Sequence, residues 1–203
     1  MSQMKEIVQG VYQWSTFSEE KNLNFNGLFV ISGNDSFIID PPNFDGAVLS
    51  ELKELISKYP TQAILLTNMH HDRASEKLKS EFGIPIWINE NDAAGLDFKP
   101  DKTFEDNEIL FGIFRTITFK DQKSPGETGL LLESRNALIL GDALIGKKPG
   151  EVNMLPPDKF KDIEKAKQGL KVMNDYKFEA LLLGDGESIL EKAGNVTRSF
   201  LGE

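Results

Sequence analysis

Cysteine is absent from this chain of 203 residues, and histidine occurs only twice, at His70 and His71. The lack of cysteine excludes disulfides, a thiolate nucleophile and thiolate metal ligands. Basic residues are also few, since 23 Lys and Arg stand against 32 Asp and Glu, and the net charge is -9. We therefore expect no nucleic-acid partner, because no basic stripe is present to bind a phosphate backbone.

Long apolar segments are missing as well. No run approaches the roughly 20 apolar residues that a membrane span needs, and the N-terminal MSQMKEIVQG lacks the apolar core of a secretory signal. We therefore expect a cytoplasmic protein without a membrane partner. No repeat, low-complexity tract or flexible linker divides the sequence, so we expect one domain over residues 1–203.

Short aliphatic runs bounded by turn-forming residues recur along the chain. Several lack polar alternation, which is typical of strands buried on both faces. The predicted strands are residues 26–32, 36–40, 63–67, 84–88, 116–119, 129–133, 137–140 and 180–183.

Other segments carry apolar residues at helical spacing. The last of them begins Ser188-x-x-Glu191, the pattern of a capping box. Because strands flank and separate these helices, we predict an α/β protein built as a four-layer αββα sandwich of two mixed β-sheets. The predicted helices are residues 47–58, 75–82, 158–173 and 188–201.

Polar clusters follow three of the predicted strands, and a fourth cluster precedes another strand. In sheet enzymes, polar groups at strand ends meet in a common crevice. Each cluster alone is typical of a surface turn, whereas the order and spacing of all of them together are far more specific. The clusters are TNMHHDR at 67–73, SPGETG at 124–129, GD at 141–142 and GDG at 184–186.

The order of these clusters resembles the metallo-β-lactamase superfamily, including the glyoxalase II-like hydrolases, over nearly the whole chain. ILLTNMHHDR resembles the family's T-H-x-H-x-D-H, SPGETG its P-G-H-T, LILGDAL its G-D-x-L and LLLGDG its late G-H-G. NGLFVISGNDSFIIDPP resembles the opening hairpin, whose final Asp40 braces the metal loop in the family. The resemblance implies a metallo-β-lactamase-like sandwich that hydrolyses its substrate with a metal-bound hydroxide.

Most of the ligand histidines that the resemblance implies are replaced in this chain. Arg has no lone pair to donate and stays protonated, so it cannot bind a metal. The resemblance places Asn68, His70 and Glu127 at the first metal, Asp72, Arg73 and Asp185 at the second, and Asp142 between them.

The replacements predict at most one metal ion. We expect a divalent ion, such as Zn, Mn or Fe, to bind His70, Glu127 and Asp142, with Asn68 as a weak fourth ligand, although the protein could also work without metal. We expect Arg73 to take over the charge of the second metal by pairing with Asp72 and Asp185.

Charge is the second constraint on this pocket. If the predicted fold is right, the carboxylates converge with Arg73 and leave an excess of negative charge, and burial of an unpaired carboxylate costs several kcal/mol. A metal ion, raised carboxylate pKa values or a lysine such as Lys123 or Lys147 could each neutralise it. The sequence leaves all three open.

His71 lies between two positions that the resemblance assigns to ligands. It could support the site from its rim, or it could act as an acid or base in the pocket. If the protein is an enzyme, we predict Asp72 and His71 as catalytic residues.

These observations favour a hydrolase-like protein of the ester or thioester class with one rebuilt metal site. The alternatives are a binding or regulatory protein without metal on the same fold, and an interaction module with a vestigial pocket. The expected partner is a small molecule. The sequence shows no basic residues that would clamp glutathione or a phosphate diester, and KKPG at 147–150 is the nearest approach to a basic patch.

Overall fold

The computed structural model describes residues 3–202, which form twelve β-strands and four α-helices. The strands are β1 (Lys5–Val8), β2 (Val11–Ser18), β3 (Leu23–Ser32), β4 (Asp35–Ile39), β5 (Thr61–Leu66), β6 (Ile86–Asn89), β7 (Lys102–Phe104), β8 (Ile109–Leu110), β9 (Phe114–Thr118), β10 (Thr128–Leu132), β11 (Ala137–Leu140) and β12 (Ala180–Leu183). The helices are α1 (Gly46–Lys58), α2 (Ser75–Phe82), α3 (Ile163–Gly169) and α4 (Ala193–Leu201).

The strands form two mixed sheets. The first has seven strands in the order β1-β2-β3-β4-β5-β6-β7. Its first four strands pair antiparallel, whereas β4 to β7 run parallel. The second has five strands in the order β12-β11-β10-β9-β8, with β11 and β12 parallel and the other pairs antiparallel. The connections between parallel strands bring strand ends to one edge of each sheet.

Apolar side chains fill three layers between the four layers of backbone. One buried cluster, which includes Val30, Leu65 and Leu130, lies between the two sheets. A second joins the outer face of the first sheet to α1 and α2, and a third joins the second sheet to α3 and α4. The predicted αββα sandwich is confirmed.

The first two helices have the predicted bounds to within a residue, and local chemistry explains where they begin and end. The side chain of Asp45 accepts hydrogen bonds from the backbone N–H groups of Ala47 and Val48 at the start of α1. The second helix ends at Gly83, whose φ of +70° is the left-handed conformation that terminates many helices.

The two later helices are shorter than predicted. Residues 158–173 do not form one long helix. Asp162 caps the start of α3, and 3-10 turns lie before and after the helix. The capping box predicted at Ser188 is wrong. Its hydroxyl accepts from the backbone N–H of Leu183, and Ile189 pairs with Leu181 beside the sheet, so α4 begins only at Ala193.

None of the helices in residues 3–202 has the length and apolar character required to cross a membrane.

Candidate functional site

The site lies where polar residues follow the ends of four strands. Asp40 follows β4, Thr67 follows β5, Asp142 lies two residues beyond β11, and Asp185 lies two residues beyond β12. Each pair of strands is parallel, so their carboxyl ends meet at the same edge of the sheet. Stacking the two sheets face to face brings both edges together.

Asp40 fixes the loop that carries the two histidines. Its carboxylate accepts hydrogen bonds from the backbone N–H of Thr67 at 2.8 Å and from the Thr67 hydroxyl at 2.5 Å. The same carboxylate lies 2.8 Å from Nδ1 of His71, a side chain that is 1% exposed. A Cβ on Gly184 would lie 2.6 Å from Cε1 of this ring, so glycine is needed there for the ring to fit. Asp40 therefore holds the ring by a polar contact, and Gly184 leaves the space that the ring occupies.

Three possible metal-ligand atoms, one of them in the imidazole of His71, lie close together. Nε2 of His71 lies 3.6 Å from Oδ1 of Asp142 and 3.9 Å from Oδ1 of Asp185. Within residues 3–202 these three side chains are the only group of three or more His, Asp or Glu residues whose ligand atoms all lie within 4.8 Å of one another.

Two cationic side chains already contact this group. Nη2 of Arg73 lies 2.6 Å from Oδ1 of Asp185 and 3.2 Å from Nε2 of His71. Nζ of Lys123 lies 2.6 Å from Oδ2 of Asp142. The guanidinium of Arg73 also stacks on the Phe25 ring, with Cζ 4.1 Å from the ring centroid.

The ionisation of these groups follows from their neighbours. Burial and the charge of Arg73 lower the pKa of His71, but the carboxylates of Asp40 and Asp142 outweigh both and raise it to about 10. Burial opposes ionisation of Asp142 too, yet His71 and Lys123 hold the pKa of its carboxyl well below the usual range. At neutral pH the site therefore contains an imidazolium beside the ionised carboxylate of Asp142.

Glu127 behaves differently from the aspartates. Its Oε1 accepts from the Ala143 backbone N–H at 3.0 Å and from Nδ2 of Asn68 at 3.3 Å, while its buried Oε2 has no partner in the described part of the chain. Burial, reinforced by the charge of Asp142, raises the pKa of Glu127 well above its ordinary value. Two of the three means of neutralisation left open by the sequence are thus seen: a raised carboxyl pKa and a lysine, Lys123, that reaches in.

The predicted ligand set is rearranged. His70 is exposed at the mouth of the cavity, although partial burial and the charge of Lys123 lower its pKa. His71 takes the central position instead. Asp185 rather than Glu127 joins Asp142 in the converging group. Asn68 begins a 3-10 turn over Met69–His71, and its side chain accepts from the backbone N–H of His70.

Arg73 and Asp185 form the predicted ion pair, but the predicted pair of Arg73 with Asp72 is not found among the described residues. The Asp72 carboxylate accepts instead from the backbone N–H of Arg73 at 2.7 Å. Arg73 has a φ of +27°, in the left-handed region. Asp72 thus supports an unfavourable backbone conformation and does not line the cavity, whose lining is drawn from residues 3–202.

Asp92 is a site residue that the sequence analysis missed. Its buried carboxylate accepts from the backbone N–H of Met69 at 2.9 Å and of Gly126 at 2.7 Å, and from the Ser124 hydroxyl. It therefore ties the histidine loop to the loop that carries Glu127. Its place three residues after β6, at the same sheet edge as Asp40, is the signal that could have found it.

A cavity of about 410 Å³ opens above His71 and the two aspartates. Lysines from four separate segments line it: Lys21, Lys123, Lys147 and Lys159. The sequence shows no basic residues that would clamp glutathione or a phosphate diester, whereas the fold brings these four lysines to one cavity. The four lysines come from separate segments of the sequence, so only the fold shows that they line the same cavity.

Comparisons with known proteins agree with this architecture. A family model described as the metallo-beta-lactamase superfamily matches residues 4–201. No curated protein matches the chain in sequence. Among solved structures, the DIM-1 metallo-beta-lactamase superposes with a TM-score of 0.77 at 15% identity, covering 98% of this chain and 95% of that chain.

Two further enzymes from named bacteria show the same similarity. The metallo-beta-lactamase from Pontibacter korlensis has a TM-score of 0.77 at 15% identity, over 98% of this chain and 97% of its own. The one from Hirschia baltica has a TM-score of 0.73 at 14% identity, over 98% and 96%. At such low identity these matches establish a shared fold and no shared activity.

Proposed function

We propose that this chain, which belongs to the metallo-β-lactamase superfamily, binds a small molecule without metal. Arg73 and Lys123 supply the positive charge at its rebuilt site. One observation carries the proposal. Nη2 of Arg73 lies within 3.2 Å of two of the three converging donor atoms, and Lys123 is paired with the third residue.

A metal ion does not fit the donor set while these cations are in place. Nε2 of His71 and Oδ1 of Asp185 are both within reach of one guanidinium nitrogen. A metal ion bound to these two atoms would lie close to the charged guanidinium of Arg73, which is at hydrogen-bond distance from both. Like charges repel strongly at that range. Arg73 cannot relieve this by ligating, because it does not deprotonate.

The site is also balanced without a further cation. Asp40, Asp142 and Asp185 contribute negative charge, and each lies beside a cation: His71, Lys123 and Arg73 respectively. Burial and the charge of Asp142 raise the pKa of Glu127, which favours its uncharged form. Buried carboxylates are tolerated when paired in this way, so no metal is needed to offset their charge.

A second function, that of a single-metal hydrolase, is favoured by one feature. Nδ1 of His71 is held by the carboxylate of Asp40, which leaves Nε2 directed at Asp142 and Asp185. A carboxylate that holds one imidazole nitrogen while the other faces the metal is the usual support of a metal-ligating histidine, and metal binding would require His71 to lose the proton on Nε2. The ligands would then be His71, Asp142 and Asp185.

Metal analysis separates the two functions. Protein purified without chelator is analysed for its metal content, and chelator-treated protein is titrated with Zn, Mn and Fe(II) by calorimetry. We expect substoichiometric metal and no saturable binding. One equivalent of tightly bound metal would contradict the proposal and support the single-metal hydrolase.

A paired set of variants tests the role of the cations. Arg73→Met combined with Lys123→Ala removes both charges, and we expect it to gain a zinc site on the three converging ligands. Adding Asp185→Asn should abolish that gain. Arg198→Met with Lys120→Ala makes the same charge change elsewhere and should leave the protein without zinc affinity, while circular dichroism checks that every variant is folded.

A further inference from the structure

The cavity concentrates positive charge on a protein that is otherwise acidic. Its lining contains five permanent cations, Lys21, Arg73, Lys123, Lys147 and Lys159, against two carboxylates. The whole chain carries a net charge of -9. An excess of three positive charges in one concave surface therefore opposes the overall charge, and such a surface attracts anions.

Two of these cations, Lys21 and Lys159, are paired only at the exposed surface, so their charge stays available. Lys21 pairs with Glu20 and Lys159 with Asp158, but all four side chains are about half exposed or more. Exposed pairs of this kind contribute little and exchange readily. Nη1 of Arg73 is buried and has no hydrogen-bond partner in residues 3–202, so one guanidinium donor in the site is still unused.

The cavity is also lined by apolar side chains. They belong to Leu23, Phe25, Ile145, Leu155 and Pro156. The guanidinium of Arg73 lies over the ring of Phe25. A volume of about 410 Å³ lined by both cationic and apolar side chains suits a small organic molecule better than a bare ion.

We propose that the cavity binds an organic polyanion, a phosphate monoester, a phosphonate or an aromatic dicarboxylate, with its charged end on Lys123, Lys147 and Lys159 and its apolar body against Phe25. This inference rests on the proposed metal-independent function, since a metal at the aspartates would change which groups hold the anion. At least two negative charges are required because a single one leaves most of the cationic excess unpaired.

Calorimetry on chelator-treated protein at low ionic strength tests the class of ligand. Phenylphosphonate carries both features, methylphosphonate only the charge and benzyl alcohol only the apolar body. We expect phenylphosphonate to bind at least about tenfold more tightly than either partial probe, and more weakly at high salt. Equal affinity for phenylphosphonate and benzyl alcohol would overturn the proposal. If phthalate binds with similar affinity, the site recognises the charge and shape of the ligand and not its phosphorus atom. If phthalate does not bind, the ligand class narrows to phosphorus oxyanions.

Matched lysine variants test the location. Lys147→Ala with Lys159→Ala should weaken phenylphosphonate binding by about tenfold. Lys148→Ala with Lys161→Ala removes the same charge from neighbouring exposed positions outside the cavity and should have less than a twofold effect. Equal effects of the two pairs would place the binding elsewhere.

The metal content of the same samples separates the two proposals. Metal-free protein that fails to prefer the polyanion overturns this inference alone. Phenylphosphonate binding that appears only after stoichiometric metal is added overturns both, because the anion would then be bound by the metal.

Discussion

The guanidinium of Arg73 and the carboxylate of Asp185 are joined at 2.6 Å, although 112 residues separate them in the sequence. Their side chains are 14% and 10% exposed, so water screens the pair only weakly. The pair joins the histidine loop of the first sheet to the end of β12 in the second. It is therefore part of the contact that holds the two halves of the site together.

Removing one member of this pair should be costly. Arg73→Ala leaves Asp185 without its partner in a buried site, and we expect a loss of about 3–5 kcal/mol in the free energy of unfolding, measured by urea denaturation. Asp185→Ala added to Arg73→Ala should recover part of that loss, because no uncompensated charge remains. Arg198→Ala, on α4 outside the cavity, is the control, and an equally small effect of both arginine variants would contradict the pairing.

Asp92 should matter for stability as much as the residues of the cavity. Asp92→Ala leaves the buried backbone N–H groups of Met69 and Gly126 without acceptors, at a cost of about 1–3 kcal/mol each. We expect a loss of about 2–5 kcal/mol by urea denaturation, and weaker binding of phenylphosphonate because both site loops are released. Asp97→Ala, on the exposed loop nearby, should change neither quantity.

The layers of the fold follow from the sequence because each depends on a local pattern. The stripe of Val48 and Leu52 in α1 and the unbroken aliphatic run of β12 predict a helix and a doubly buried strand. Helix ends were predicted less well where tertiary contacts override a local signal. The Ser188 hydroxyl, which fits a capping box in sequence, instead bonds the backbone of Leu183.

The site was predictable as a set of segments and not as a set of side chains. Strand ends predict that polar residues meet in one crevice. In the structure Asp142 and Asp185 lie beyond two parallel strands of the second sheet, and Asp40 lies at the end of β4 in the first. The choice between His70 and His71 depends on the 3-10 turn that Asn68 begins, and no spacing rule predicts such a turn. Lys21 and Lys159 lie in loops far apart in the sequence, so only the fold reveals that they face the same cavity.

Gly184 provides a steric test of the position of His71. In Gly184→Ala the new Cβ would lie 2.6 Å from Cε1 and 3.0 Å from Nδ1 of the imidazole, which must shift away from Asp40. We expect a loss of about 1–3 kcal/mol from overpacking and a changed imidazole signal in NMR, where the two histidines of the chain are readily distinguished.

Gly46→Ala is the matched control for this steric effect. A Cβ at Gly46 meets nothing within 4 Å, and the residue opens helix α1. Alanine there should be neutral or stabilise the protein by up to about 1 kcal/mol and leave the imidazole signals unchanged. Equal outcomes for the two glycines would mean that His71 is not confined by Gly184.

The pH dependence of stability should report the buried Glu127. Its pKa in the folded protein is raised, first by burial and then by Asp142, so the folded state keeps a proton that the unfolded state releases above its ordinary pKa. The unfolded state then binds fewer protons, and the free energy of unfolding falls as pH rises, by up to about 1.4 kcal/mol per pH unit.

Glu127→Gln should remove this loss of stability, since glutamine keeps Oε1 as the acceptor for Ala143 and Asn68 and has no proton to release. We expect the variant to match the native protein near pH 4 and to become progressively more stable than it as pH rises above the ordinary pKa of a glutamate, measured by urea denaturation at each pH. Glu54→Gln, on the exposed face of α1, gives the effect of losing one surface charge. A stability difference for Glu127→Gln that stays constant with pH would mean that Glu127 is ionised in the folded protein, and its charge would then need a cation that the site as described does not provide.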